Sequence, residues 1–266
     1  MKKSLFIYLL LIGVLFYSIA AFGDLLNVKA NVKATDYLPD INEVYNQAKS
    51  FRIIGNWKDR IPLTSKAYST MSETKRAIEV GKTLADVSFY VFNRDDSKIP
   101  DNALEIARSA IDSLSPPEKI ARKINALESD IQRLSGEKLR KRINDLIKDA
   151  ISELQKNPKY KDVGTLVLAS SFCRSMYFGV STVAQMKNPT PPQLAMFRYG
   201  GMINYIIDYF KAGNESRASK KYQDDTRVKN LVINLTNIRP LIEKQPDKIT
   251  ITDIRMVSQI LEQGYK

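Results

Sequence analysis

Apolar positions recur at helical spacing along most of this chain, and one stretch departs from the rule by being apolar on every side. Residues 163–186 carry a single charge, Arg174, and no proline. The stretch is too long for a strand, and at about 1.5 Å per residue it makes a helix roughly 36 Å long. Ser171, Ser175 and Gly179 fall four apart, a seam of small residues that lets a neighbouring backbone come close. A helix apolar all round is either a core helix or a membrane span. Arg174 at its centre would cost about 2.5–3.5 kcal/mol in a bilayer, and serines flank it, so the pattern points to the core.

The other elements punctuate themselves. Thr70-Met71-Ser72-Glu73 has the form of a capping box and opens a helix to about Asn93. Ala77, Ile78, Gly81, Leu84, Ala85, Val87, Ser88, Val91 and Phe92 give it a wide apolar face. Pro100-Asp101-Asn102 starts the next, with Ala103, Ala107, Ala110, Ile111 and Leu114 on one side. Ser115-Pro116-Pro117-Glu118 combines a capping box with proline at the first helical position. Its stripe runs Ile120, Ile124, Leu127, Ile131, Leu134. Ser135-Gly136 interrupts it, and Leu139, Ile143, Leu146, Ala150, Leu154 repeats the spacing, which suits antiparallel helix packing.

Asn157-Pro158 ends that helix and Asn188-Pro189 closes the central one. Thr190-Pro191-Pro192-Gln193 caps a helix to about Lys211, apolar at Leu194, Phe197, Ile203, Ile206, Ile207 and Phe210, with Gly200-Gly201 in its middle. The short link predicts an antiparallel hairpin. Residues 212–222 read as an exposed loop. Residues 224–243 are amphipathic through Val228, Leu231, Val232, Leu235, Ile238 and Ile242, and Pro240 should kink or end the helix early. Thr250-Ile251-Thr252-Asp253 starts a last helix through Ile254, Val257 and Leu261. The prediction is an all-α fold, a multi-helix bundle of about seven to nine helices around a buried central hairpin. The bundle domain covers 73–266. Residues 24–72 form an irregular segment with one short helix over 41–51 and the lone Trp57, expected to dock on the bundle.

The first residues change the picture of compartment. Lys2 and Lys3 precede an apolar run over 5–22, and Ala21 and Gly23 supply small residues before Asp24. That is the pattern of a secretory signal peptide over 1–23, with Ala20 a second cleavage point. The run is also long enough for an uncleaved anchor, about 20 residues being needed to span. The expected location is therefore outside the cytoplasm, periplasmic or secreted. The chain's net charge of +12 falls to +10 without Lys2 and Lys3. Basic residues alternate with acids on helices, without a dense basic run interleaved with aromatics, which argues against nucleic acid. A soluble basic surface with no special partner is the simplest reading of the charge, and an envelope protein or an anionic lipid surface is the partner class that the balance would otherwise suit.

Histidine is absent and cysteine occurs once, as Cys173 within the central stretch. That removes His-based triads, Cys–His dyads and two-His zinc motifs, and leaves carboxylates as the available acid–base or metal chemistry. No Gly-rich phosphate loop appears, so no cofactor, metal or catalytic residue is assigned. Cys173 is expected to be buried and inert. Asp86 and Asp208 each stand nearly alone on an apolar helix. They are the candidates for general acid–base work, and equally for a structural ion pair with Arg174. In a continuous hairpin Arg174 and Asp208 would lie about one helical turn out of register.

Two segments carry a resemblance. Ile78–Phe92, IEVGKTLADVSFYVF, is similar to a Gly-x-x-x-Ala-Asp-Leu-Ser-Tyr-type segment, and 167–178, VLASSFCRSMYF, to a Val-Leu-Ala-Gly-x-Trp-Ile-Glu-x-Leu-Tyr-type segment. In that order and separation they resemble an uncharacterised family of exported, all-helical bacterial proteins, often lipoproteins, over about 73–211. Phe172 stands for the tryptophan, Arg174 for the glutamate, and no lipidated cysteine is present. The resemblance implies fold and compartment and no activity. Two functions follow as expectations: a non-enzymatic exported protein that binds or scaffolds in the envelope, or a carboxylate-dependent enzyme acting on envelope material. An anchored sensor domain is a third.

Overall fold

The computed structural model describes residues 63–92, 101–119, 122, 156–213 and 217–264. Trp57 and the predicted stripes over 120–154, helix over 41–51 and signal peptide over 1–23 lie outside them. Among the described residues the elements are all helical and no strand occurs. They fall into two compact units, one ending at Ser175 and the other beginning at Met176.

In the first unit a 3-10 turn, Tyr68–Thr70, precedes helix α1, Glu73–Phe92. Thr70 is not the cap. Its hydroxyl donates to the Ala67 carbonyl at 2.9 Å, inside the 3-10 turn. Ser72 takes the role instead: its Oγ accepts from the Lys75 amide at 3.4 Å and its carbonyl accepts the first helical bond, from Arg76. Ala77, Val80, Leu84 and Ala85 are buried on the inner face. Burying a side chain such as Leu84 stabilises by about 1.5–3 kcal/mol. Helix α2, Asp101–Asp112, buries Ile106 and Ala110. Ser115 does not cap from an extended backbone. It sits at φ 48°, a left-handed residue that turns the chain after α2, and helical residues resume only at Glu118.

Helix α3, Pro158–Ala184, is the central helix. The Asn157-Pro158 pair, read from the sequence as a helix end, starts this helix. The Asn157 Oδ1 accepts from the Lys159 amide at 3.1 Å, and Pro158 fills the first position, where no amide is needed. Among the described residues α3 is the helix long and apolar enough to cross a membrane, but 78% of its most apolar window is buried inside the protein. The hydroxyls of such a helix need partners. Thr165, Ser170 and Thr182 donate to the carbonyls four residues back, at 2.8, 2.7 and 2.9 Å. Cys173 is buried, as its position predicts.

Helix α1 comes close to α3 at Ser170 and Ser171, at one end of the predicted seam, whereas Gly179 at the other end faces Phe197. Gly81 lies so close to α3 that a Cβ built there would meet the Val167 carbonyl oxygen, with the Ser170 Cβ at 2.8 Å and the Ser171 amide nitrogen at 3.0 Å. Only a glycine allows this approach.

The second unit holds the last turns of α3 and helices α4, Pro191–Ala195, α5, Gly200–Phe210, α6, Lys220–Asp224, α7, Thr226–Ile242, and α8, Ile251–Gln263. The Thr190 capping box forms as read, with the Gln193 carboxamide oxygen accepting from the Thr190 amide at 2.7 Å. The helix it opens is shorter than predicted. It stops at Ala195, and residues 196–199 separate it from α5, so Gly200-Gly201 open a helix and do not lie within one. Phe197, in the break, lays its ring on Gly179, whose added Cβ would meet it at 2.8 Å. The expected loop over 212–222 contains α6, which anchors the segment by burying Tyr222. Pro240 neither ends nor shortens α7. It sits in the last turn, where its missing amide strands one carbonyl at Thr236, an exposed residue that water can serve.

Helix α8 starts with the predicted capping box. The Asp253 Oδ2 accepts from the Thr250 amide at 2.9 Å and from its hydroxyl at 2.8 Å, and Oδ1 accepts from Lys244 Nζ at 2.7 Å. Burial alone would raise the Asp253 carboxyl. The bonds from Lys244 and Thr250 outweigh it and hold the group below its ordinary 3.8. A depressed folded value means stability present above the ordinary value and lost as pH falls through the folded one. Asp253→Ala is therefore expected to cost about 2 kcal/mol near neutral pH and progressively less below pH 4, read from urea melts across pH. An equal cost at pH 7 and pH 2.5 would contradict this account.

Candidate functional site

The charged residue that stands out in the central helix finds an acid on α1. Arg174 Nε donates to the Asp86 Oδ1 at 2.6 Å, and the two side chains are 21% and 16% exposed. Of the two candidate acids the structure brings Asp86 to Arg174. Asp208 lies on α5 with Lys211, Nζ to Oδ1 3.5 Å, where both side chains are about 40% exposed. The register that would bring Asp208 to Arg174 assumes an uninterrupted helix from Thr190. The break at 196–199 removes the regular rise on which that register depends.

Asp86 belongs to a polar stripe that single-residue inspection misses. Glu79, Lys82, Thr83 and Asp86 recur at intervals of three and four, one edge of α1. Glu79 receives Lys66 Nζ at 2.6 Å on Oε2 and Lys82 Nζ at 3.0 Å on Oε1. Thr83 Oγ1 accepts the Tyr68 hydroxyl at 2.7 Å in a buried bond. The same periodicity that reveals an apolar face would have shown this stripe, had it been read for polar residues.

The two carboxylates respond to the site in opposite directions. Burial pushes the Asp86 carboxyl above its ordinary value, and the Arg174 guanidinium offsets only part of that. Burial pushes Glu79 up too, but Lys66 and Lys82 outweigh it and hold this group below its ordinary value. Burial, with Glu79 and Asp86 adding their charge, raises the Tyr68 phenol despite its bond to Thr83. Chemically this is a set of matched charges: each acid is already bonded to a cation.

A second polar cluster lies at the start of α5. The Tyr199 cap offers no side-chain bond to the helix. The Glu243 carboxylate lies against Gly200, where a Cβ would come within 2.6 Å of Oε1, and places negative charge at the helix N-terminus. Arg239 Nε holds the other oxygen at 3.0 Å, and Asn204 Nδ2 donates to Oε1 at 3.4 Å. Among the described residues no three His, Cys, Asp or Glu side chains come together as a metal site. No protein-family model, curated protein or solved structure matches this chain.

Proposed function

We propose that the chain is exported and works in the bacterial cell envelope as a non-enzymatic helical protein that binds or scaffolds, with an envelope protein or an anionic lipid surface as partner. The observation that carries the reading is the leader: Lys2-Lys3, the apolar run to Phe22 and the small residues Ala21 and Gly23 ahead of Asp24. The likeness to exported helical proteins, over IEVGKTLADVSFYVF and VLASSFCRSMYF, agrees with it. Binding is favoured over acid–base chemistry because Asp86 and Asp208, the acids best placed for catalysis in the sequence, are each engaged by a cation.

Expression of the full chain in a bacterium with cell fractionation tests the location. The expected product is found outside the cytoplasm with Asp24 as its first residue. Retention of Met1 in a membrane fraction would favour the anchored alternative, and a cytoplasmic product would overturn the proposal. Co-sedimentation of the mature chain with anionic against neutral vesicles then separates a lipid partner from a protein one.

A further inference from the structure

The segment 63–70 touches α1 in a way that no other described segment does. It is neither helix nor strand apart from the 3-10 turn, and most of its residues are half-buried or exposed. Its backbone hydrogen bonds stay within 66–71: Tyr68 to Lys66, Thr70 to Ala67, Met71 to Tyr68. Among the described residues no backbone bond joins it to a helix. Among the described residues side chains attach it: Lys66 on Glu79, and Tyr68, 4% exposed, with its hydroxyl on Thr83. Just beyond it Arg76 fixes the chain, donating to the Met71 carbonyl at 3.0 Å and to the Ser113 carbonyl at 3.1 Å.

We infer that 63–70 is a detachable strap, fastened by an ionic clasp of Lys66, Glu79 and Lys82 and by one buried tyrosine, that opens as a piece while the rest of its unit stays folded. Arg76 marks the hinge end, because its two carbonyl bonds hold residue 71 to the unit when the strap lifts. Opening exposes the Tyr68 ring and the Thr83 hydroxyl and strips Glu79 of Lys66. It also frees this attachment between the upstream chain and α1. Segments with few apolar contacts and no backbone ladder are the ones that open below the global unfolding free energy. The Lys66 and Glu79 side chains are 28% and 19% exposed, so salt screens the clasp only in part, and removing the Glu79 charge is the direct release.

Chymotrypsin, which cuts after tyrosine or phenylalanine, reads the opening at residue 68 in the full mature chain. Cleavage there is expected to rise about five- to tenfold in Glu79→Gln, through loss of the clasp, and by less in 1 M sodium chloride. Tyr68→Phe should also raise it, because the ring is kept and the bond to Thr83 is lost. Cleavage at 68 should depend only weakly on urea, because lifting the strap exposes little surface, whereas cleavage after the buried Phe172 should climb steeply with urea as it follows global unfolding. The strap is refuted if cleavage at 68 shows the same steep urea dependence as cleavage at 172, or if Glu79→Gln leaves it unaltered.

Discussion

Arg174→Ala is expected to lower the stability of the chain by about 3 kcal/mol, the range for breaking a largely buried ion pair. The loss is more than one hydrogen bond. The guanidinium that donates to Asp86 at 2.6 Å is what makes a carboxylate tolerable at that depth. Without it Asp86 must stay charged and poorly solvated or take up a proton. Asp86 is already pushed above its ordinary 3.8 with Arg174 in place. A raised folded value means that the folded state holds the proton more tightly than the unfolded one. The site therefore favours folding increasingly as pH falls through the raised value, and fully below 3.8. In the variant that value climbs further, so the defect should be larger at pH 7.5 than at pH 5. Arg174→Ala with Asp86→Ala should cost less than the two singles added, by about 1–3 kcal/mol of coupling. Strict additivity in urea melts, or an unchanged melting temperature for Arg174→Ala, would show that the pair does not hold the unit.

Gly81→Ala is expected to cost about 2–4 kcal/mol, against the gain of roughly 1 kcal/mol that alanine brings to an ordinary helix position. The sign turns on what the methyl group meets. Two of its three near neighbours are the backbone of α3, the Val167 carbonyl oxygen and the Ser171 amide nitrogen, which cannot step aside without moving the helix. The third is the Ser170 Cβ. Ser170→Gly added to Gly81→Ala should recover little, because it clears only that third atom. Full rescue, or a Gly81→Ala chain more stable than the parent in thermal unfolding, would mean that α1 and α3 do not approach as described. Gly200→Ala makes a control. Its methyl meets only the side chain of Glu243, which can swing away.

Elements whose signals are local were legible in the sequence. The Thr190 and Thr250 capping boxes form, and Ile254, Val257 and Leu261 are buried on α8 as their spacing requires. The apolar character of residues 163–186 foretold a buried helix because nearly every face carries a side chain that avoids water. What depends on partners was not legible. Thr70 has the right spacing for a cap, yet its hydroxyl serves a 3-10 turn that no local rule announces. The break before Gly200 reflects where Phe197 seats on Gly179 and where Glu243 finds a helix end, both set by distant chain. Asp86 meets Arg174, and Asp208 meets Lys211. Both acids look alike in sequence, and only the tertiary neighbour tells them apart. The clasp of Lys66, Glu79 and Lys82 was hidden differently: charged residues at helical spacing usually mark a solvated face, and here they mark a half-buried one.

Arg174 is neutralised late. Asp86 stands 88 positions before it, so their bond exists only after α1 and α3 have met. During the export proposed above the chain would thread a secretory channel unfolded, one segment at a time. A run as apolar as α3 invites sideways escape into the lipid, where passage would end. In such a passage the bare guanidinium at its centre, costing about 2.5–3.5 kcal/mol in lipid, would keep the segment moving through. A charge that looks misplaced in the folded chain would then suit an exported one, hidden by Asp86 once α1 and α3 have met.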